Sequence, residues 1–386
     1  MLKLPGIGRR WLRLAHLYLG LTVGLLFVVM GLTGSLLVFY MQIDAWFNPA
    51  VRAAASDARP PSYEAVYRTL LSAYPQRPAR WSIELPDDGG LISSRSELPS
   101  DVATGDFAPL MVWIDPRNLK IVRADQWGHF AMTWVYHLHY RLLMGKTGAT
   151  ILGCAGLVLL ALLISGLLSW WPARWRDLKH ALSVRGARNL NNLLYHIHKL
   201  AGLTAFLILI VLAVTGIMMS LESQTKALLA HFSPLYVEPA PRSAYSAGLQ
   251  RISLDRAVAS AATVFPGAPL KWIYTPDGPR DVYSFNFRVT REPNYEYPFY
   301  TVWVDQYSGR VVAVRDAGRD GFSTTLFDWL CPIHNGEAFY LPGQIVMVLT
   351  GLMPALLFVT GCWRWWRRRT QRSKSRHAIA LPGARR

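Results

Sequence analysis

Residues 134–171, WVYHLHYRLLMGKTGATILGCAGLVLLALLISGLLSWW, and residues 329–366, WLCPIHNGEAFYLPGQIVMVLTGLMPALLFVTGCWRWW, align without a gap. Trp134, His139, Gly148, Gly166, Trp170 and Trp171 match Trp329, His334, Gly343, Gly361, Trp365 and Trp366, all offset by 195. A second block repeats upstream, where His16, Gly20, Thr33 and Gly34 match His198, Gly202, Thr215 and Gly216 at an offset of 182. Self-similarity at a fixed spacing marks a duplicated unit and shows which positions the architecture uses twice. The chain therefore reads as one unit occurring twice.

Each aligned block runs into an apolar stretch. Four stretches, 14–40, 149–171, 200–221 and 345–363, are nearly uncharged and about 20 residues or longer, which is enough helix to cross about 30 Å of hydrocarbon. With 52% apolar residues and 15 tryptophans, a large soluble protein with a rich core is the alternative, and the clustering of the apolar residues argues against it. The basic start before the first stretch, with Ala53, Ala54 and Ala55 downstream, imitates a cleavable signal. Its apolar core is too long for one, so it reads as a retained anchor.

The net charge of +17 sits where a membrane protein would put it. Lys3, Arg9, Arg10 and Arg13 precede the first span. Arg174, Arg176, Lys179, Arg185 and Arg188, with Asp177 the only acid, lie between the second and third. Arg364, Arg367, Arg368, Arg369, Arg372, Lys374, Arg376, Arg385 and Arg386 follow the fourth, and the rest of the chain carries 23 residues of each sign. By the positive-inside rule these segments are cytoplasmic and the two long loops face out. A nucleic-acid partner is a poor reading of such a distribution.

The outer loops repeat more loosely. Residues 62–75 and 253–266 each predict a helix behind a serine N-cap, and 112–115 with 120–122 corresponds to 302–305 with 310–312 as strand, turn, strand. Tyr307, Ser308 and Gly309 supply the second turn. The expected layout is a cytoplasmic 1–13, a span at 14–40, an outer α+β module at 41–133, a span with an outer extension at 134–171 and a cytoplasmic loop at 172–195. It continues with a span at 196–221, a second module at 222–328, a span with an outer extension at 329–366 and a basic tail at 367–386. The fold class is a membrane α-helical four-helix bundle of two parallel repeats with two small extracytoplasmic α+β modules.

This order, together with His16-x3-Gly20, His198-x3-Gly202, His139-Tyr140-Arg141-Leu142-Leu143, His334-Asn335-Gly336 and the Trp170-Trp171-Pro172 exit, resembles the PepSY-associated transmembrane family. The haem-containing siderophore-iron reductases of the ferrioxamine type are the nearest fit within it. The resemblance covers nearly the whole chain. It implies PepSY-like outer modules, bound haem b (two per chain), a bacterial inner-membrane location, and electron transfer to ferric siderophore outside for release of Fe(II).

Of ten histidines, His180, His231 and His377 lie in polar segments and His129 has no repeat partner, so these four read as structural. His16, His139, His198 and His334 recur by register, and histidines at span ends are costly unless paired or ligated. Imidazole is a common axial ligand of haem iron, and parallel repeats face equivalent residues across an axis along the membrane normal. The expected pairs are His16 with His198 near the inner face and His139 with His334 near the outer face. Gly20, Gly24, Gly31 and Gly34 would leave room for a flat ring or, alternatively, bring helices close. His137 and His196, two residues before a chosen ligand, remain alternatives for a propionate contact or for the ligand itself.

A zinc or iron site would call for carboxylates or thiolates nearby, and the spans hold almost no acids. Cys154, Cys331 and Cys362 imply no disulfide framework and no C-x-x-C-H attachment of haem. Gly145-Lys146-Thr147 only imitates the end of a phosphate loop, and no nucleotide fingerprint occurs, so the electron donor is membrane quinol or a cytosolic reductase. Two rivals remain: a transporter, and a membrane-anchored binding or regulatory protein without redox activity. His139 precedes Trp171 by 32 residues, about 48 Å of unbroken helix, so the reading expects tilt or a break at Gly145 or Gly148.

Overall fold

The computed structural model describes residues 6–52, 62–78, 80–86, 90–98, 107–172, 174–184, 189–290 and 292–379. Lys3, Ala53, Ala54, Ala55, Arg185, Arg188, Arg385 and Arg386 lie outside them, as do the side chains beyond Gln371, that of His377 included. The chain divides into two compact units, one made of 1–38, 150–221 and 344–386, the other of 39–149 and 222–343.

The first unit is built on α1 (Gly6–Leu37), α5 (Gly145–Trp170), α7 (Leu190–Ser220) and α11 (Tyr340–Ile379), with the short α6 (Leu178–Leu182) between α5 and α7. Four helical segments, Gly8–Leu37, Gly145–Trp170, Leu190–Ser220 and Glu337–Gln371, are long and apolar enough to cross a membrane. These match the four expected stretches, the first stopping at Leu37 instead of residue 40. Lipid gives apolar helices no hydrophobic reason to associate, so contact depends on small residues that let backbones approach. A Cβ on Gly31 of α1 would collide with the carbonyl of Gly351 on α11, and Ser35 Oγ donates to Val348 O at 2.9 Å across the same contact. Gly24 lies against Phe358, and Gly156 of α5 lies under Ile217 of α7. Gly24 and Gly31 therefore serve close helix packing.

Among the described residues the second unit holds a sheet and six α-helices, in chain order: α2 (Tyr40–Phe47), α3 (Tyr63–Ala73), β1 (Ser82–Glu84), β2 (Ile92–Ser96), β3 (Leu110–Ile114), β4 (Ile121–Gln126) and α4 (Ala131–Arg141), then α8 (Glu222–Leu229), α9 (Leu254–Ala262), β5 (Leu270–Tyr274), β6 (Val282–Phe287), β7 (Tyr300–Asp305), β8 (Val311–Arg315) and α10 (Phe322–Asn335). The element order of the first set recurs in the second. The bounds of α2 and α8 differ by 182 at both ends, the offset of the upstream sequence block.

Two separate outer modules were expected, and here the structure corrects the sequence reading. All eight strands form one antiparallel sheet in the order β4-β3-β2-β1-β5-β6-β7-β8. β1 and β5 join at its centre, with Ser82 opposite Tyr274 and Glu84 opposite Trp272. A four-stranded half alone would leave a row of unpaired N–H and C=O groups along β1 or β5, and fusing the halves satisfies both rows.

The helices α3 and α9 cover one face. Val66, Leu70, Leu254, Ala257 and Ala261 interlock with Ile83, Ile92, Val112, Ile273, Phe285 and Val302, all fully buried. Ser62 and Ser253 cap these helices as predicted, accepting from the N–H of Ala65 and of Arg256. The halves also exchange caps. Asp255 accepts from the N–H of Tyr63 at 2.8 Å and Glu64 at 3.3 Å, while Glu64 accepts from the N–H of Leu254 at 2.8 Å. Each carboxylate thus sits at the positive end of the opposite helix, a position worth about 0.3–1 kcal/mol.

Candidate functional site

The structure brings together both histidine pairs that the repeat singles out. In the first unit the rings of His16 on α1 and His198 on α7 stand 6.2 Å apart, centroid to centroid, at 89° to each other. In the second unit His139 on α4 and His334 on α10 stand 6.3 Å apart at 56°. Two imidazoles bound to opposite sides of one metal ion, at the roughly 2.0–2.1 Å known for zinc–imidazole bonds, place their centroids about 6 Å apart. Both pairs meet that separation.

What surrounds the first pair decides which ring nitrogen is available. His16 Nδ1 lies 3.0 Å from Leu162 O on α5 and 3.3 Å from Ser165 Oγ, whose own hydroxyl donates to Leu162 O. A carbonyl can only accept, so Nδ1 of His16 carries the proton and Nε2 keeps its lone pair. His198 Nδ1 lies 3.0 Å from Thr360 Oγ1 on α11, and that hydroxyl donates to Leu356 O at 2.7 Å. Its lone pairs then face the imidazole, which is again protonated at Nδ1. A metal-ligating histidine characteristically donates its other ring N–H in this way, fixing tautomer and ring angle.

Glycines complete the cradle. A Cβ on Gly166 would lie 2.8 Å from Cε1 of His16, and one on Gly361 would lie 3.5 Å from Cε1 of His198. Ser165-Gly166 and Thr360-Gly361 are related by the 195 offset, so each ring meets a hydroxyl and a glycine in the same order. Sequence reading missed Ser165 and Thr360; the available signal was a hydroxyl immediately before each repeated glycine.

The second pair is held differently. α4 ends at Arg141 because Leu142 and Leu143 adopt φ of 51° and 58°, and α5 starts at Gly145 with φ of 58°. His139 thus sits on its own short helix, and no unbroken 48 Å helix exists. On the other side Gly336, φ 82°, ends α10 one residue after Asn335. Gly148 and Gly343 let the following helix start close by, since a Cβ on either would strike the carbonyl of Arg141 or of Gly336. This explains why both glycines recur.

The other described histidines have contacts of their own. His137 is buried against Tyr140, 5.7 Å between centroids, beside Gly128. His196 is buried next to Tyr195, and His231 bonds Ala227 O through Nδ1. His129 donates its backbone N–H to Gln126 O in the turn after β4, and His180 lies on α6. Cys154, Cys331 and Cys362 are free thiols, and among the described residues no cluster of three or more His, Cys, Asp or Glu side chains could hold a metal ion.

The sheet of the same unit carries a buried charge cluster. Lys271 bridges Glu84 at 3.1 Å and Glu296 at 3.2 Å, and burial pushes the Glu84 carboxyl upward against the pull of Lys271. Arg95 stacks 4.2 Å above the Trp272 ring, which in turn stacks on Tyr297 at 5.6 Å.

Four helices long and apolar enough to cross a membrane, beside a unit built on a single antiparallel sheet, are the marks of a multi-span membrane protein. The PepSY-associated TM region matches residues 13–368, and the chain belongs to that family. No curated protein matches it.

Proposed function

We propose that the chain is a di-haem b electron-transfer protein of the bacterial inner membrane that reduces ferric siderophore on the periplasmic side and releases Fe(II) for iron uptake. The observation that carries this reading is the approach of both repeat-selected histidine pairs to 6.2 and 6.3 Å. In it, the four apolar helices form a bundle of two parallel repeats with both termini in the cytoplasm.

His16 and His198 would hold one haem, through Nε2, and His139 and His334 the other. Haem supplies a one-electron carrier whose potential the protein tunes through ligand, hydrogen bonding and burial. The chain's own groups do the tuning. Leu162 O and Thr360 Oγ1 accept the Nδ1 protons and so raise the basicity of the free nitrogens. Gly166 and Gly361 admit the ring edges, and the apolar helices keep water from the inner pair. The donor is membrane quinol or a cytosolic reductase, and the acceptor meets the outer pair. No proton-transferring side chain is needed.

The test is a spectrum. Protein purified in detergent from haem-replete cells is expected to show a Soret band that shifts on dithionite addition, with two haems b per chain by pyridine haemochrome. A colourless preparation would overturn the reading and favour a PepSY binding or regulatory protein.

A further inference from the structure

The two halves of the outer sheet differ on the face away from α3 and α9. In the first half Trp113 lies opposite Arg123, with a bulge immediately after; in the second half Trp303 lies opposite Ala313, with the bulge in the same place. Arg123 plugs its half: it lies 4.7 Å above Trp113 and 4.4 Å above Phe130, and it pairs with Asp44 of α2 at 2.7 Å. Neither partner survives in the second half. Ala313 has no head group, and the position 182 residues after Asp44 on the matching helix α8 is Lys226.

The plug's space in the second half is a cavity of about 510 Å³ with Lys226 in its wall. Its floor is two cross-strand rows, Tyr274, Ser284 and Trp303 in one and Asn286, Thr301 and Arg315 in the next. The next rung inverts in charge as well, since Asp125 of the first half lines up with Arg315. Arg315 is clamped by Asp320 at 2.7 Å and Asp328 at 2.6 Å, between the rings of Tyr236 at 4.1 Å and Phe299 at 5.3 Å. Lys226 is tethered to Glu222, and Arg80 lies 5.0 Å over Tyr274. The one acid in the lining is Glu238. The Tyr236 hydroxyl is buried and has no hydrogen-bond partner among the described residues. Leaving a buried hydroxyl without a partner is costly, and a ligand acceptor would satisfy it.

We propose that this cavity is the docking site for the ferric chelate, an inference that rests on the reductase reading. The donor-rich wall of Lys226, Arg80, Tyr236 and Thr301 receives the carbonyl and oxyanion groups of an oxygen-donor chelate. The rings of Trp303 and Phe299 take its apolar linkers, in the manner of ligand sites that combine aromatic walls with few polar anchors. Two lining residues, Tyr236 and Arg315, are braced by α10, the helix of His334. Thr324 accepts from the N–H of Tyr236 at 2.7 Å, and Asp328 stands six residues before His334, about 9 Å along the helix. A chelate seated here is therefore bound on the framework that holds the outer histidine pair.

The test rebuilds the plug. Lys226→Asp combined with Ala313→Arg recreates the first half's ion pair, and Arg80→Ala is a milder variant at an exposed position. Binding of an anionic gallium(III) tris-catecholate chelate, a non-reducible stand-in for the ferric complex whose negative charge matches the Lys226 and Arg80 wall, is followed by tryptophan fluorescence on the purified full-length protein. The wild type is expected to bind, with affinity reduced at least tenfold in the double variant and severalfold in Arg80→Ala. The haem content of both variants should equal that of the wild type. Unchanged affinity in both variants, or no binding by the wild type, overturns the docking site. Loss of haem from the wild type would instead overturn the reductase reading, so the two failures are distinct.

Discussion

The two histidine pairs share a centroid spacing but not a setting. His16 and His198 are side chains of long apolar helices, each with Nδ1 tied to a neighbouring helix and a glycine against its ring edge. His139 and His334 sit near the ends of short helices closed by left-handed residues, in the unit that carries the sheet. The same pairing is thus obtained once by locking the ring through neighbouring helices, and once by positioning helix ends.

If the two pairs are separate sites, ligand removal must separate them. His16→Ala or His198→Ala is expected to lower the haem content from two per chain to one, and His139→Ala or His334→Ala to do the same for the other haem. Loss of both haems from any single variant would break the comparison.

Gly166 and Gly361 test the locking within the first pair. A methyl at Gly166 would lie 2.8 Å from His16, closer than atoms tolerate, while one at Gly361 meets His198 at an ordinary 3.5 Å. Gly166→Ala should therefore reduce occupancy of the first site severalfold, and Gly361→Ala should leave it intact. Quantitative absorbance of the purified variants decides this.

The hydrogen bonds should show an asymmetry of their own. Thr360→Val removes the acceptor of His198, and loss of such an outer partner typically costs 10–100-fold in metal affinity. Ser165→Ala leaves Leu162 O in place for His16, so it should weaken binding far less. Titration of haem into apoprotein in detergent measures both.

The smallest effect concerns pH and belongs to the unit that carries the sheet. Burial pushes the Glu292 carboxyl up to about 7 from its ordinary 4.5. Folding therefore favours its protonated form, and the cost of ionising it begins above about pH 4.5 and is complete above about pH 7. Glu292→Gln should raise thermal stability at pH 8 and leave it unchanged at pH 4. A gain that persists at pH 4 would mean the effect is not electrostatic.

The spans and the four histidines were legible in the sequence because hydropathy and register are local properties of the chain. The fused sheet was not, since Ser82 pairs with Tyr274 and no short-range pattern encodes so distant a partner. β1, β2, β5 and β6 escaped for a related reason: β1 is three residues long, and β2 reads as ISSRS, with little apolar content. The break after Arg141 is made by two leucines at positive φ, a residue type that gives no turn signal. The cavity was hidden because an alanine opposite a tryptophan looks like ordinary sheet until the arginine in the other half is set beside it.

The β1–β5 seam also sets a timetable for biosynthesis. Ser82 leaves the ribosome 192 residues ahead of Tyr274, roughly 10–40 s earlier at about 5–20 residues per second. Throughout that interval the first half-sheet waits with a bare rim and with α3 lacking the carboxylate of Asp255 at its start. Brevity of β1 limits what that rim can recruit, and a chain truncated before the second half would be left holding a permanently open edge for proteases and chaperones to find.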